Sequence, residues 1–287
     1  MVNTNLDLEP DSDSIQRDDL FFLTSSMMGL ETKISEFAQR KSRIAVIIPI
    51  WNQGNAILDQ LRRMQDTNLS LDVVLCDSNS SDGSTLLCRL KRLGVRTLLT
   101  TEHVGLGTAL RLGFCYAMDQ GYEGVIAIDG NGKDGVEAIT VFEECLFSGF
   151  DLVQGSRFMT GGRHSNTPWE HYLGIRCFIA PAMRMAAGFQ YTDPTNGFKG
   201  LSRRFLLDDS VQPFRPVFQQ FNLQFYLNYI APRLGFRITE IPVSRVYPKG
   251  VPTPTKIIGI QAKWRLLRQF FGVIFGRYNL PNGRRDG

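Results

Sequence analysis

Short apolar runs rich in β-branched residues alternate with amphipathic segments through the first half of the chain. Such runs are typical of strands, and the amphipathic segments are typical of helices. Because strand and helix alternate with short links, the pattern predicts an α/β fold with a mostly parallel sheet flanked by helices on both faces. The predicted strands are 44–49, 73–76, 95–99, 125–128 and 152–153, and the predicted helices are 57–64, 86–93, 109–118 and 136–147.

The rhythm changes after Gly155. Longer helical segments are predicted at 172–187 and 218–231, followed by a strand at 238–242 and a loop rich in proline and glycine at 247–254. The residues before Arg43 show little periodicity, so we expect ordered structure to begin there. The sequence thus predicts a flexible acidic arm at 1–40, one α/β domain at 41–250 and a basic amphipathic extension at 251–287.

The five cysteines of the 287-residue chain form no C-x-x-C pair, which excludes the usual zinc and dithiol sites. We expect reduced core thiols of a cytoplasmic protein. The first residues lack a basic stretch followed by an apolar one, and no window of about 18 residues is free of charge. We therefore expect neither export nor a membrane span.

Charge is unevenly distributed, although the net charge is only +4. Residues 1–19 carry six acids, whereas the chain from Lys256 onward carries seven Lys and Arg against one Asp. A basic end favours an anionic surface, either a lipid headgroup layer or nucleic acid. Nucleic acid has no other support in the sequence, so we expect no nucleic-acid partner.

Polar residues follow four of the predicted strands, at 49–53, 77–84, 129–134 and 155–157. Ligands of parallel sheets bind at the carboxyl ends of the strands, and these oxygen-rich segments with one arginine suit a metal-chelated diphosphate. An alternative for 77–84 is a turn that caps the next helix, and Lys133 and Asp134 fit solvated surface residues equally well. Gly105-Leu106-Gly107 predicts at most a helix-entry turn with room for a sugar or phosphate.

Taken together, these segments resemble family 2 glycosyltransferases, and among them the dolichol- or polyprenyl-phosphate sugar (mannose or glucose) synthases. The resemblance runs from about Arg43 to Lys256. The matching segments are Ile48-Pro49-Ile50-Trp51-Asn52-Gln53 for the family's Pro-x-Tyr-Asn-Glu opening, 77–84 for its acidic Asp-Gly-Ser segment, Asp129-Gly130-Asn131 for its Asp-x-Asp metal motif, Gly155-Ser156-Arg157-Phe158 with Gly161-Gly162 for Gly-Ser-Arg-Tyr…Gly-Gly, 193–199 for Asp-Pro-Thr-Ser-Gly-Phe-Arg, and 235–243 for the closing Gly-Tyr-Arg-Ile-x-Glu-Val-Pro strand.

The resemblance implies a GT-A fold and transfer of a sugar from a nucleotide-diphosphate sugar to a polyprenyl phosphate. It implies Mg²⁺ or Mn²⁺ as cofactor on Asp129 and Asn131, with Arg157 facing the acceptor phosphate. We expect Arg176 and Arg245 to assist Arg157, and Asp193 to join Asp129 and Arg157 as a catalytic residue. The residues expected to hold the nucleotide sugar are Pro49, Trp51, Asn52, Gln53, Asp77, Asn79 and Lys133.

Four residues depart from the family pattern. Trp51 and Gln53 replace the usual tyrosine and glutamate, which keeps stacking and hydrogen bonding but removes one charge beside the nucleotide. Asn131 replaces the second metal aspartate, so we expect weaker metal binding. Lys133 stands where a glutamine is common, and its charge suits the donor diphosphate.

The type of acceptor can be predicted from a stretch of the chain that lacks carboxylates. No Asp or Glu occurs between Asp209 and Glu240, so the segment 218–224 offers amides where a hydroxyl-using enzyme needs a base. We therefore expect an inverting in-line displacement by an anionic lipid phosphate. Two alternatives remain open at this point: transfer to a hydroxyl with Asp193 as the base, and a catalytically weak nucleotide-sugar binding subunit.

The segment 257–275 is basic, aromatic and helical in pattern. It predicts either a helix packed on the domain or an interfacial helix on an anionic membrane surface, and we favour the membrane. The expected location is therefore cytoplasmic and peripheral, on the cytoplasmic membrane face. The sequence leaves a homodimer open.

Overall fold

The computed structural model describes residues 30–67, 70–247 and 259–280. Its centre is an eight-stranded sheet in the order β1-β4-β3-β2-β5-β8-β6-β9, and two short strands, β7 and β10, pair beside it. The strands are β1 (Thr32–Glu36), β2 (Ile44–Ile50), β3 (Asp72–Asp77), β4 (Val95–Thr101), β5 (Gly124–Ala127), β6 (Leu152–Ser156), β7 (Arg163–Ser165), β8 (Lys199–Ser202), β9 (Ile238–Pro242) and β10 (Ser244–Val246).

The helices follow the strands as the sequence pattern predicts, with bounds that differ by a few residues. They are α1 (Asn55–Asp66), α2 (Leu87–Arg92), α3 (Leu106–Asp119), α4 (Ile139–Phe147, after the 3₁₀ turn Val136–Ala138), α5 (Trp169–Gly174), α6 (Ala180–Ala187), α7 (Arg203–Leu206), α8 (Asn222–Arg233) and α9 (Gly259–Ile274). The segment Ile175–Ile179 between α5 and α6 is a π-helical turn. None of the helices in the described ranges is long and apolar enough to cross a bilayer.

The strands β4, β3, β2 and β5 are parallel neighbours, as are β6 and β9. The strand β8 runs antiparallel between β5 and β6 and joins these two parallel groups. The predicted α/β architecture with a mostly parallel sheet is confirmed. All the parallel strands therefore end at one edge of the sheet, where the polar segments of the sequence converge.

The prediction that order begins at Arg43 is wrong. The strand β1 pairs antiparallel with β4, Thr32 opposite Thr101, and the Tyr116 hydroxyl donates a hydrogen bond to Glu36. Because β1 is a half-exposed edge strand, its residues are mixed in polarity and carry little periodic signal. Residues 1–29, the greater part of the predicted flexible arm at 1–40, lie outside the described residues.

Three smaller expectations also change. The helix predicted from residue 218 begins at Asn222, and the strand β8, only four residues long, was not predicted. The loop predicted at 247–254 lies outside the described residues apart from Tyr247. Cys88 and Cys177 are exposed, so not all of the thiols belong to the core, although all five are free.

The sheet separates two apolar layers, with alternate residues of β2 pointing into each. The helix α3 lies almost wholly inside the first layer and passes so close to the sheet that it needs a glycine at position 113. A Cβ at Gly113 would stand 2.5 Å from Ile47 Cγ2 and 2.6 Å from Cys76 Sγ. Gly113 therefore sets the depth at which α3 packs over β2 and β3.

We expect Gly113→Ala to lower the free energy of unfolding. Overpacking a well-packed core costs about 1–3 kcal/mol, and the better helix propensity of alanine returns about 1 kcal/mol, so the net loss should be at most about 2 kcal/mol. Urea denaturation of the full chain measures it. The matched control is Gly174→Ala at the end of α5, where a Cβ would meet nothing within 4 Å, and an equal loss there would contradict the packing argument.

Candidate active site

The loops that follow β2 and β3 are tied to each other at the carboxyl edge of the sheet. The backbone N–H of Asn52 donates to Ser80 Oγ (2.8 Å), and the N–H of Ser81 donates to Asn52 Oδ1 (2.8 Å). The N–H of Gly54 donates to Asp82 Oδ2 (2.6 Å). Asn52 and Asn79 both have positive φ, which asparagine tolerates better than most residues. The two predicted nucleotide segments therefore form one unit.

Asp77, the last residue of β3, holds the loop that follows it. Its carboxylate is buried and accepts from the N–H of Ser80 (3.1 Å to each oxygen) and from the Ser80 hydroxyl (2.5 Å). Burial raises the pKa of Asp77, and the donors of Ser80 offset part of that rise. Trp51, 38% exposed, presents an aromatic face on the outer side of the same unit.

The Asp-x-Asp-like turn after β5 is clamped by α1. Gln60, fully buried, accepts from the N–H of Gly132 (2.9 Å), and Arg63 Nη2 donates to the carbonyl of Gly132 (2.8 Å). Within the turn, Asn131 Nδ2 donates to Asp129 Oδ2 (3.3 Å). The clamp fixes the turn, and with it the direction of Asp129, before any ligand arrives.

Arg245, on β10, bridges two aspartates. Its Nη1 donates to both carboxylate oxygens of Asp134 (2.8 and 2.6 Å), and its Nη2 donates to Asp129 Oδ2 (2.9 Å). Asp134 is wholly buried, whereas Asp129 keeps about a fifth of its side chain exposed (22%). Burial alone would raise the pKa of Asp129, but the charges of Arg245 and Lys133 outweigh it and hold that pKa below its ordinary value.

Arg157, at the end of β6, forms a buried ion pair with Asp193. Its Nε lies 2.6 Å from Asp193 Oδ2, and its Nη2 lies 2.9 Å from Asp193 Oδ1. Glu240 holds the Asp193 segment in turn, because its carboxylate accepts from the N–H groups of Thr192 (2.9 Å) and Asp193 (3.2 Å). Two residues predicted separately as catalytic therefore neutralise each other.

Lys133 is buried beside these groups, which corrects its alternative reading as a solvated surface residue. Its ammonium lies 4.8 Å from the centroid of the Tyr247 ring. Burial lowers the pKa of Lys133 to about 8, with Arg245 adding to the effect and Asp129 opposing it. Asp134 needs the same correction, since it is fully buried on Arg245.

Arg176, predicted to help bind the acceptor phosphate, lies on the exposed side of the π-helical turn. Its guanidinium stands 6.0 Å from the centroid of the Phe158 ring, and that of Arg157 stands 4.9 Å from the same ring. The Phe158 ring thus contacts both cations. Arg176 is on the outer side of the site, whereas Arg157 and Arg245 are inside it.

Asp129 and Asn131 offer the hard oxygen ligands that Mg²⁺ and Mn²⁺ accept. Within the described ranges, no group of three or more His, Cys, Asp or Glu side chains could hold a metal ion by itself. One carboxylate and one amide suit a site that is completed by phosphate oxygens and water, as is usual for Mg²⁺. The residues therefore fit a divalent ion that arrives with a diphosphate.

Several residues that shape the site were not predicted as site residues, although Gly197 and Glu240 lie within the matched segments 193–199 and 235–243. Gly197 is one, since a Cβ there would stand 2.8 Å from Asp129 Oδ1. Gln60 and Glu240 are others, because each acts on a segment at least 47 residues away. Only the Gly-Phe-Lys stretch of the motif at 193–199 could have pointed to Gly197.

The room expected at Gly105-Leu106-Gly107 is filled by the chain itself. The N–H groups of Gly107 and Thr108 donate to the carbonyl of Gln219 (3.0 and 3.2 Å), and a Cβ at Gly107 would stand 2.6 Å from the carbonyl oxygen of Gln220. The glycines therefore serve close packing of the segment before α8. The expectation of room for a sugar or phosphate at the two glycines is wrong.

We expect Asp193→Asn to lower the free energy of unfolding by about 3–5 kcal/mol, because it leaves the Arg157 charge buried without its partner. Glu170→Gln is the matched control. It removes the same charge from an exposed pair with Lys263 (2.8 Å), and exposed pairs contribute little, so no measurable change is expected. Urea denaturation of both variants measures the two losses in free energy of unfolding. Similar losses would show that the buried pair contributes no more to stability than the exposed pair.

Comparison with known proteins finds relatives in sequence and in structure. No protein-family model matches the chain. Polyprenol monophosphomannose synthase of Mycolicibacterium smegmatis is 25% identical over 206 residues, which cover 70% of this chain and 77% of that protein. Undecaprenyl-phosphate mannosyltransferase of Micrococcus luteus is 27% identical over 207 residues, which cover 71% of this chain and 84% of that protein.

Among solved structures, glucosyl-3-phosphoglycerate synthase of Mycobacterium tuberculosis, in complex with Mn²⁺, UDP and glucosyl-3-phosphoglycerate, superposes with a TM-score of 0.58 at 18% identity. The match covers 84% of this chain and 81% of that one. The same enzyme with Mg²⁺ and UDP gives a TM-score of 0.57. The chain therefore has the GT-A fold, and its relatives and structural neighbours identify it as a glycosyltransferase, as its resemblance to polyprenyl-phosphate sugar synthases implied.

Proposed function

We propose that this protein transfers a sugar from a nucleotide-diphosphate sugar to a polyprenyl phosphate, with inversion at the anomeric carbon and with Mg²⁺ or Mn²⁺. Two relatives are named for a polyprenyl phosphate acceptor and for mannose, which makes mannose the first donor sugar to test. Structural neighbours bind UDP with Mn²⁺ or Mg²⁺, which supports a metal-chelated nucleotide.

The observation that carries the proposal is the enclosure of Asp193. A general base must reach the proton that it removes, but Asp193 is fully buried and both of its oxygens are bound by Arg157. Asp134 is likewise buried, on Arg245. A phosphate acceptor is already an anion and needs no base. The enclosure of these two carboxylates therefore favours a phosphate acceptor over a hydroxyl acceptor. The alternative with Asp193 as base loses its main support.

The cations of the site suit two phosphate groups. Arg157 uses Nε and Nη2 for Asp193, which leaves its Nη1 for an oxygen of the acceptor phosphate. Arg245 can release Asp129 while Asp134 still holds it through Nη1. We propose that Arg157 and Arg245 orient the acceptor phosphate, and that Arg176 receives it from the surface.

On the donor side, the unit formed by the loops after β2 and β3 would hold the nucleotide. Trp51 offers a face for stacking on the base, and the ordered loop around Asn52 and Asn79 offers polar groups to the nucleoside. A divalent ion on Asp129 and Asn131 would neutralise charge on the departing diphosphate. Lys133, buried beside them, would add a second positive charge for the same leaving group.

The helix α9 supports a membrane contact. Phe270 and Val273 are buried in the core, where the Phe270 ring lies 5.3 Å from that of Phe225 on α8. The opposite face exposes Ile260 (72%), Trp264 (67%) and Phe275 (80%), beside basic residues of the same helix. One face of the segment thus packs on the domain, and we propose that the other lies on an anionic membrane surface.

The helix α5 and the turn after it extend this exposed apolar surface. Lys263 on α9 pairs with Glu170 on α5 (2.8 Å), and Trp169, Phe178 and Met185 are all strongly exposed. Arg176, between them, stands on the way from this surface to Arg157. A lipid phosphate held at a membrane could therefore approach the site along one side of the protein. The cytoplasmic location and the homodimer stay predictions.

The proposal is tested by nucleoside diphosphate release from UDP- and GDP-sugars, GDP-mannose included, with and without a polyprenyl phosphate. We expect release that needs both the lipid and Mg²⁺ or Mn²⁺, and that EDTA abolishes. Arg157→Lys keeps the charge but loses the two-pronged geometry, so kcat/KM for the lipid should fall at least about tenfold. Arg89→Lys, exposed on α2, is the matched control and should leave it unchanged.

Three results would overturn the proposal. Equal release without lipid would indicate a hydrolytic activity. Transfer to 3-phosphoglycerate or another hydroxyl acceptor, but not to the lipid, would indicate a transferase that uses a hydroxyl acceptor. Glucosyl-3-phosphoglycerate, bound in the structural neighbour, is a compound of that kind. Donor binding with no release under any condition would indicate a nucleotide-sugar binding subunit.

We expect Trp264→Ser with Phe275→Ser to abolish flotation of the full-length protein with vesicles that contain anionic lipid, because both side chains lie on the exposed face of α9. Gln261→Ser, at an exposed position of the same helix, is the control for changed helix sequence. Flotation that survives loss of the two aromatic side chains would show that this face does not bind the membrane.

A further inference from the structure

Arg111 is a buried cation that lines a cavity in the described part of the molecule. Arg111 lies in the middle of α3 and is only 2% exposed. It lines a cavity of about 240 Å³ together with Leu30, His103, Val104, Thr108, Pro216 and Gln219. None of these residues is among those predicted to hold donor, metal or acceptor.

Arg111 has few partners for a buried guanidinium. Its one hydrogen bond among the described residues runs from Nη1 to the carbonyl of Phe218, at a long 3.4 Å, and its buried Nε has no partner. No ion pair joins it to a carboxylate in the described ranges. Burial lowers the pKa of Arg111, and Cys115 beside it opposes that shift. A buried charge in this condition is costly unless a counter-ion completes it.

The other cavity walls favour an anion. His103, Thr108 and the amide of Gln219 can all donate hydrogen bonds, and no acidic side chain of the described residues lines the cavity. The backbone N–H groups at the start of α3 are already used by the carbonyl of Gln219, so side chains would hold the ligand. The volume equals about eight water molecules and is below that of pockets for drug-sized ligands. It suits a single phosphate or carboxylate group on a small body.

We propose that the cavity beside Arg111 is a binding site for a small anion, a phosphate or a carboxylate, held by Arg111 with Thr108 and His103. The proposal rests on the cavity and on Arg111 and does not depend on the proposed transferase chemistry. Its recognition is electrostatic, since a guanidinium with a free Nε–H edge offers an anionic oxygen a charge-assisted hydrogen bond.

The test follows the Nε–H signal of Arg111 in a nitrogen–proton correlation spectrum of the full-length protein, identified by its absence in Arg111→Leu. Inorganic phosphate at constant ionic strength should shift the signal saturably, and chloride should not. Thr108→Val removes a donor at nearly constant shape and should weaken phosphate binding about fivefold. Thr100→Val, on β4 outside the cavity, is the matched control and should leave phosphate binding unchanged.

Two sources could supply the anion. One is a free small molecule, and the other is the acids of residues 1–19, which precede Leu30 in the chain. A full-length variant in which these six acids are replaced by Asn or Gln separates the two. A phosphate shift in the wild-type protein indicates a free ligand, and a shift in the neutralised variant alone indicates that the chain's own carboxylates occupy the cavity. A signal that phosphate moves in neither protein overturns the proposal.

Discussion

The ion pair between Arg157 and Asp193 is the contact on which the candidate site depends. It joins the end of β6 to the loop before β8, and Glu240 on β9 ties that loop to a third strand. Because both partners of the pair are buried, neither can leave without exposing the other's charge to an apolar surrounding. The geometry of the acceptor side is therefore set by the folding of the sheet and not by the arrival of a ligand.

Charge balance explains how such a crowded site can exist. Three carboxylates, Asp129, Asp134 and Asp193, face three cations, Lys133, Arg157 and Arg245, in a nearly closed network. Without ligands these charges cancel. A diphosphate donor and a lipid phosphate would both add negative charge, and a divalent ion would offset part of it. The replacement of a second metal aspartate by Asn131 and of a common glutamine by Lys133 shifts the same balance toward positive charge.

Much of the fold could be predicted from the chain, since alternating strands and helices leave a strong local pattern. The missed elements were short or had weak patterns: β1 is a half-exposed edge strand, and β7, β8, β10 and α7 have only three or four residues each. The site segments were also found locally, because motifs mark the strand ends. What could not be predicted is pairing at a distance. Asp134 reads as a surface residue until the fold brings Arg245, 111 residues later, against it.

The helix α9 packs into the core of the domain on one face and exposes apolar side chains on the other. Phe270, Val273 and Tyr278 belong to the main core, and Gln269 accepts from the N–H of Asn222, the first residue of α8. The change in composition near residue 251 is therefore not a change in packing. A chain shortened before α9 would expose core residues and leave the start of α8 without its hydrogen-bond partner. An anchor of this kind is not modular: it cannot be removed or transplanted without altering the domain that it would hold at the membrane.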